Sequence, residues 1–218
     1  ISDKALQYNF TNEGGVGPNY RFLKNIMGLW LVQECRRAWQ REGRDFSYEQ
    51  LTAMARDAVP FVALIEPDDE RFITPGDMPA RIRAYCEETS QNVPADEGQM
   101  IRIVLESLAL KYRYVLESLE TILGRRLECI HIVGGGIQNR LLCQFTASAA
   151  GRQVIAGPLE ATGIGNLLLQ LIGLGPLASL AEARQVVRDS FDPEVYQPEQ
   201  SANWDAAYDR FRRLLPLV

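Results

Sequence analysis

The sequence predicts an α/β fold, in which helices flank a mixed or parallel sheet. The main observation is an alternation of patterns after residue 127: the strand-like "ECIHIV" precedes a helical pattern over 138–150, and "QVIAG" precedes another over 161–173. A second observation is an apolar pattern with the helical period over 97–123. A third is size, because 218 residues with 46% hydrophobic content can bury a full core, as one domain or as one lobe of a larger protein.

The N-terminal part is predicted to begin as a strand and to continue as two helices. Apolar and polar residues alternate over 6–10, which is typical of a strand. From Tyr20 to Trp39 apolar residues recur every three or four positions, which predicts one amphipathic helix. A second helix is predicted over 47–58, where Ser47 and Gln50 have the spacing of a capping box.

The middle of the chain is predicted to be a connection followed by the longest helix. Residues 59–98 contain the Pro- and Gly-rich stretch "EPDDERFITPGDMP". This composition favours an extended segment that wraps the surface, with one short helix near 79–89. The long helix then covers 97–123, and Gly124 is positioned to cap its C-terminus.

The C-terminal part is predicted to hold two more helices separated by a loop. One helix covers 180–189, and the stretch "FDPEVYQPEQ" is predicted to be the loop. The last helix is amphipathic, with four apolar residues on one side: Trp204, Tyr208, Phe211 and Leu215.

Charge and composition exclude several classes of function. The net charge of −5 leaves no basic excess for nucleic-acid phosphates, so we expect no nucleic-acid partner. No apolar run is long enough to span a bilayer and no signal peptide is evident, so we expect no membrane association and a cytoplasmic location. Four cysteines without CxxC spacing suit reduced, buried thiols, and a single histidine supplies neither a zinc site nor a Ser-His-Asp triad.

Three consecutive glycines, Gly134, Gly135 and Gly136, stand between a predicted strand and a predicted helix. In α/β proteins such a junction brings backbone N–H groups close to a nucleotide, because a missing Cβ removes a steric clash. However, "GGGIQN" matches neither the dinucleotide fingerprint GxGxxG nor the phosphate loop GxxxxGK[ST]. The pattern alone therefore leaves both a tight turn and a ligand site open.

Two carboxamides form a second candidate site. Asn25 and Gln33 lie eight positions apart, which on one helix separates them by about 80° around the axis. Both could then face one cleft, where an amide suits either a sugar hydroxyl or the ribose and base edge of a nucleotide. An ordinary solvated helix face is the alternative interpretation.

Three segments in order, "TNEGG" with "YRFLKNIMGLW", "HIVGGGIQN" and "VIAGPLEATGIGNLLLQ", resemble the C-terminal half of the FGGY family of carbohydrate kinases, in its branch that phosphorylates L-rhamnulose. The similarity runs from about Phe10 to the "YQP…YDRF" tail. It implies an actin-like, ribonuclease-H-like ATPase lobe with a mixed sheet flanked by helices, one of two lobes around a cleft that closes over ATP and sugar. Residues 1–218 are then the C-terminal nucleotide-binding lobe, and the N-terminal lobe is absent from this chain.

The resemblance also implies the roles of particular residues. It assigns Asn25 to substrate binding. It assigns Gln33 and the middle glycine, Gly135, to ATP. We expect the nucleotide site to include three residues of the same turn as well: Gly134, Gly136 and Asn139. The cofactors are ATP and Mg²⁺, and the first phosphate loop, the metal-binding acid and the catalytic aspartate come from the other lobe. We therefore expect no catalytic residue and no metal ligand here, no activity of this chain alone, and a parent enzyme that is a monomer.

Two alternatives remain open at this point. Another FGGY kinase, for fuculose or xylulose, would share the glycine motif, although the "TNEGG…LKNIMGLW" block argues against it. The other alternative is a noncatalytic actin-like module that binds a nucleotide or a partner protein.

Overall fold

The computed structural model describes residues 2–199 and 201–216, which contain nine α-helices and five β-strands. The helices are α1 (Asp3–Gln7), α2 (Trp30–Arg41), α3 (Tyr48–Asp57), α4 (Met78–Glu88), α5 (Glu97–Leu123), α6 (Arg140–Ala150), α7 (Ala161–Leu174), α8 (Leu180–Ser190) and α9 (Ser201–Arg212). The strands are β1 (Thr11–Gly14), β2 (Tyr20–Leu23), β3 (Cys129–Ile132), β4 (Gln153–Ala156) and β5 (Glu194–Tyr196).

The strands form a hairpin and a separate mixed sheet. β1 and β2 pair antiparallel, with Thr11 opposite Leu23. The other sheet has the order β3-β4-β5, in which β4 runs parallel to β3 and antiparallel to β5. Helix α6 packs on this sheet through a small apolar cluster that includes Cys143 and Val154. The predicted mixed sheet flanked by helices is confirmed.

Helix α5 lies at the centre of the main core. Residues 98–111 are all buried, with α3 packed on one side and α6 on another. At Gly98 a Cβ atom would come within 2.8 Å of the Met54 carbonyl oxygen, so the close approach of α5 to α3 depends on this glycine. The predicted bounds of α5 are confirmed.

Local capping signals explain why α3 and α5 begin where the sequence predicts. At α3 the Gln50 N–H donates to Ser47 Oγ at 3.1 Å and the Ser47 N–H donates to Gln50 Oε1 at 2.8 Å, which completes the capping box. At α5 the Gln99 N–H donates to the Asp96 carboxylate at 2.7 Å. Gly124 ends α5 in the left-handed conformation, with φ of 66°.

The prediction for the N-terminal part is wrong in two places. Residues 3–7 form α1 rather than a strand. The helix predicted from Tyr20 to Trp39 is instead strand β2, an irregular segment over 24–29 that includes Gly28 with φ of 53°, and helix α2. The reason is strand pairing, because β2 forms a hairpin with β1, the strand directly before it in the sequence. Asn25 is therefore not helical, and the 80° relation to Gln33 does not apply.

The connection over 59–98 is not a surface segment as predicted. Leu64 and Ile65 have no exposed surface, although they belong to no helix or strand. Their backbone N–H groups are satisfied by side chains, since Leu64 N donates to Gln91 Oε1 and Ile65 N donates to Ser107 Oγ, both at 2.9 Å. This bonding is what allows an irregular stretch inside the core. The short helix predicted near 79–89 is confirmed as α4.

The C-terminal part follows the prediction except at one strand. The predicted loop "FDPEVYQPEQ" contains β5, in which Val195 pairs with Ile155 of β4. The final helix is confirmed as α9, and three of its aromatic side chains are buried: Trp204, Tyr208 and Phe211. Leu215 lies beyond the end of α9.

Helix α7 is apolar but buries none of its residues. Leu167 and Leu174 are 58% and 80% exposed. Its packing partner among the described elements is α8. None of the helices in residues 2–199 and 201–216 combines the length and apolar content needed to cross a lipid bilayer.

Candidate functional site

A cleft of about 1430 Å³ opens beside the predicted glycine site. Its walls come from α2, α3, α5, β3, α6 and the turn at residues 134–138, and we call it the glycine-turn cleft. Most of its lining is apolar and includes Leu29, Val32, Val115, Leu116, Leu119, Ile130, Ile132 and Leu142. An apolar cleft with a few polar groups at its edges is the usual form of a small-molecule site.

The glycine turn is a single 3-10 turn that follows β3, and its glycines differ in what they do. Gly135 and Gly136 line the cleft, and a Cβ built at Gly135 would meet no protein atom within 4 Å. Gly134 is not among the lining residues; its φ is 74° and its N–H donates to the Pro158 carbonyl at 3.2 Å. Gly134 is therefore required by the backbone conformation, whereas protein packing leaves the space in front of Gly135 open.

Asn139 lines the cleft and also caps a helix. Its Oδ1 accepts the Leu142 N–H at 2.9 Å, which fixes the N-terminus of α6. The structural role of this oxygen leaves the Asn139 amide nitrogen as the group that can donate to a ligand.

Gln33 lies in the first turn of α2 and lines the same cleft, half-buried. Its backbone N–H donates to Leu29 O at 3.0 Å. Within the part of the chain that the structure describes, its carboxamide makes no hydrogen bond, so both its donor and its acceptor are free to bind a ligand.

Asn25 is exposed in the irregular segment between β2 and α2, and it is not a lining residue of the cleft. Its neighbour Ile26 does line the cleft. The structure thus brings Gln33, Gly135, Gly136 and Asn139 to one cleft, while Asn25 lies outside its lining, next to Ile26. In residues 2–199 and 201–216, no group of three or more His, Cys, Asp or Glu side chains could hold a metal ion.

One wall of the cleft was missed by the sequence analysis. Tyr48, Thr52 and Arg56 of α3 line it, opposite the buried side of the helix where Leu51 lies. The signal was their spacing of four, which puts all three on one helix face. Tyr112 of α5 also lines the cleft, and burial raises its pKa to about 12, so its hydroxyl stays protonated and able to donate.

The chemistry of the glycine-turn cleft is that of binding and orientation. Its apolar walls suit the faces of a flat ring system, and the bare backbone at Gly135 permits close approach. The amides of Gln33 and Asn139 suit ribose hydroxyls or a base edge. Arg56 has no ion-pair partner among the described side chains and is a cation available to an anionic group.

Sequence comparisons match this chain to sugar kinases. The family model for the C-terminal domain of the FGGY family of carbohydrate kinases matches residues 1–174. A rhamnulokinase from Bacteroides thetaiotaomicron is 48% identical over 212 residues, which cover 97% of this chain and 43% of that protein. A rhamnulokinase from Bacillus subtilis is 42% identical over 199 residues, covering 91% of this chain and 40% of that protein. The chain spans about two fifths of the length of these curated relatives.

Solved structures agree on the fold. A xylulose kinase from Rhodospirillum rubrum superposes with a TM-score of 0.61 at 16% identity, covering 94% of this chain and 41% of that one. A gluconate kinase from Lactobacillus acidophilus superposes with a TM-score of 0.67 at 13% identity, with the same coverage of each chain. At this identity the likeness shows the fold alone, and it confirms the predicted actin-like, ribonuclease-H-like lobe.

Proposed function

The chain belongs to the FGGY family of carbohydrate kinases, and from that premise we propose that it is the C-terminal, nucleotide-binding lobe of a kinase that transfers the γ-phosphoryl group of ATP to the 1-hydroxyl of L-rhamnulose, a step of rhamnose catabolism. The observation that carries the sugar assignment is the identity of 42–48% to two rhamnulokinases over nearly the whole chain. The solved relatives at 13–16% identity act on other sugars and do not bear on this choice.

For the nucleotide, we propose that adenosine or its adjoining phosphates rest against the backbone of Gly135 and Gly136. Gln33 and Asn139 would then bond the ribose or the base edge, since the whole Gln33 carboxamide and the Asn139 amide nitrogen are available to a ligand. Phosphoryl transfer requires chiefly positioning and charge stabilisation, and a rigid backbone surface provides positioning without a charged side chain. We expect the Mg²⁺ that accompanies ATP to be held by carboxylates of the N-terminal lobe.

For the sugar, we propose that Asn25 contacts the ketose from the mouth of the cleft. The catalytic aspartate would come from an N-terminal lobe that corresponds to the part of the relatives outside the matched region. The exposed leucines of α7 support a further packing partner, because a helix of this apolar content is normally covered. On this proposal the chain alone has no kinase activity.

A fusion protein tests the proposal. The part of the Bacteroides thetaiotaomicron rhamnulokinase that this chain does not match is joined to the N-terminus of the 218-residue chain, and ADP release is measured with L-rhamnulose, L-fuculose and D-xylulose. We expect turnover with L-rhamnulose as the preferred ketose, and none from either part alone.

Three outcomes would contradict this. Turnover by the 218-residue chain alone would show that the catalytic base lies within it. A preference for xylulose or fuculose would assign a different FGGY kinase. A fusion that binds ATP and phosphorylates no ketose would favour a noncatalytic nucleotide-binding module.

A further inference from the structure

A buried lysine holds two carboxylates together beside the irregular segment at residues 24–29, of which Ile26 and Leu29 line the glycine-turn cleft. Lys111 Nζ lies 2.8 Å from Glu66 Oε1 and 3.0 Å from Asp68 Oδ2. The Lys111 and Glu66 side chains are 6% and 7% exposed, whereas Asp68 is 28% exposed. The Asp68 N–H also donates to Glu66 Oε1 at 2.9 Å. Asp68 is thus fixed from both its backbone and its carboxylate, at the outer side of the cluster.

The second oxygen of Asp68 faces the irregular segment at residues 24–29. Asp68 Oδ1 accepts the Met27 N–H at 2.8 Å. This segment belongs to no helix or strand, so its amides need partners from elsewhere. A hydrogen bond to a charged acceptor is about twice as strong as one between neutral groups. The bond from Met27 to Asp68 is therefore a main constraint on where the segment lies.

The segment at residues 24–29 connects the proposed sugar contact with the proposed nucleotide site. It carries Asn25 at its start, Ile26 lines the cleft, and α2 with Gln33 follows directly. Its first residue is held as well, because Lys24 Nζ donates to Tyr8 O at 2.7 Å. Movement of the segment would carry Asn25 with it.

The charged groups of this cluster also shift the pKa of Lys24. Burial first, and then the Lys111 ammonium, lower the pKa of Lys24, while the carboxylates of Asp68 and Glu66 act in the opposite direction. Two ammonium groups and two carboxylates are thus coupled around this segment. Lys111 pairs with both carboxylates, which offsets part of the cost of burying these charges. Glu66 Oε2, in contrast, is buried without a hydrogen-bond partner among the described residues.

We infer that Asp68 is a positioning residue for the sugar, which acts by clamping the Met27 amide to Lys111 and thereby holds Asn25 beside the cleft. This inference rests on the proposed function, since the contact of Asn25 with the ketose is part of it. Asp68 itself touches neither sugar nor nucleotide on this account.

The variant Asp68→Asn tests the clamp with almost no change in side-chain volume. In Asp68 the Met27 N–H binds Oδ1 and Lys111 binds Oδ2. A carboxamide has an acceptor oxygen at only one of these two positions and an NH₂ group at the other, so one of the two bonds is lost. Glu120→Gln is the matched control. The Glu120 carboxylate also accepts a backbone N–H, from Leu127 at 2.7 Å, and pairs with a cation, Arg152 at 3.1 Å, both through Oε1, and neither contact involves residues 24–29.

The first measurement is amide hydrogen exchange in the 218-residue chain. In Asp68→Asn we expect exchange over residues 24–29 to be about tenfold faster, the factor that corresponds to about 1.4 kcal/mol, with α5 and α6 unchanged. In Glu120→Gln the same segment should exchange as in the unmodified chain. Unchanged exchange over residues 24–29 in Asp68→Asn would overturn the inference, regardless of which ketose the kinase phosphorylates.

The second measurement is kinetic, in the fusion protein. Asp68→Asn should raise the KM for L-rhamnulose about tenfold, equivalent to about 1.4 kcal/mol, and leave the KM for ATP unchanged, while Glu120→Gln should change neither. An active fusion whose Asp68→Asn variant keeps its ketose KM, or loses both substrates equally, would overturn the inference alone. A parent fusion that phosphorylates no ketose would overturn the proposed function, and the inference with it.

Discussion

Replacing Gly135 by valine tests whether a nucleotide rests on the open backbone of the glycine turn. Gly135 is exposed, its φ lies outside the left-handed region, and a Cβ there meets no protein atom within 4 Å. The folded chain should therefore accept the side chain. We expect the free energy of unfolding to change by no more than about 0.5 kcal/mol, as for other exposed substitutions.

The effect on a bound nucleotide should be much larger than the effect on folding. Three added carbon atoms would occupy the space that the ring or phosphates need, and forcing extra atoms into a packed contact costs about 1–3 kcal/mol. This corresponds to an ATP dissociation constant roughly 5-fold to 150-fold higher.

Titration calorimetry with ATP measures the effect in the 218-residue chain, and the KM for ATP measures it in the fusion protein. Gly173→Val is the matched control, because Gly173 of α7 also faces open space, has no positive φ and does not line the cleft. An ATP affinity of Gly135→Val equal to that of the unmodified chain would refute the argument. So would an equal loss in Gly173→Val, since the loss would then not be specific to the cleft.

Two further predictions concern single side chains. Gln33→Leu keeps the side-chain volume but removes an amide that has no partner among the described residues. ATP should bind roughly 5-fold more weakly, which corresponds to the loss of about 1 kcal/mol expected for one hydrogen bond. The urea midpoint should be unchanged, and an ATP affinity equal to that of the unmodified chain would count against this role. Burial raises the pKa of Glu106 from 4.5 to about 7, so the folded chain holds this proton more tightly than the unfolded chain does. Its contribution to stability is full below pH 4.5 and is lost as the pH rises through about 7. Urea unfolding between these pH values should show this decline in the unmodified chain and a flatter profile in Glu106→Gln, and identical slopes would contradict it.

Elements with their own local signals could be predicted from the sequence. Helix α5 was predicted with its bounds because its apolar period is long and Gly124 marks its C-terminus, and the structure adds Asp96 as its N-cap. Helix α3 was predicted from Ser47 and Gln50 for the same reason. In each case the information lies within a few residues of the feature that it specifies.

Elements that depend on pairing with another strand could not be predicted. The apolar spacing over 20–29 resembles a helix, but β1 is close enough to pair with β2, and Gly28 adopts a conformation that no helix contains. Strand β5 was missed for a similar reason, since three residues of a polar segment become a strand only beside β4. The hydrophobic periodicity of a segment contains no information about the strand that will pair with it.

The candidate site shows the same division. The glycine turn could be predicted because a strand-to-helix junction with glycines is a local pattern. The spacing of four places Tyr48 and Arg56 on one helix face, but nothing near them in the sequence indicates that this face lines the same cleft as β3 and the glycine turn. The positioning role proposed for Asp68 could not be predicted either, because its partners Met27 and Lys111 are 41 and 43 positions away in the sequence.

The irregular stretch inside the core has a consequence for the order of folding. The N–H groups of Leu64 and Ile65 depend on Gln91 and Ser107, which lie beyond α4 and within α5. This stretch therefore cannot form these bonds in isolation, and Gln91 and helix α5 must be in place first. In pulse-labelled refolding, we expect the amides of α5 to become protected early and those of residues 64–65 late. Formation of the bonds of this stretch would then be among the last events before the native state.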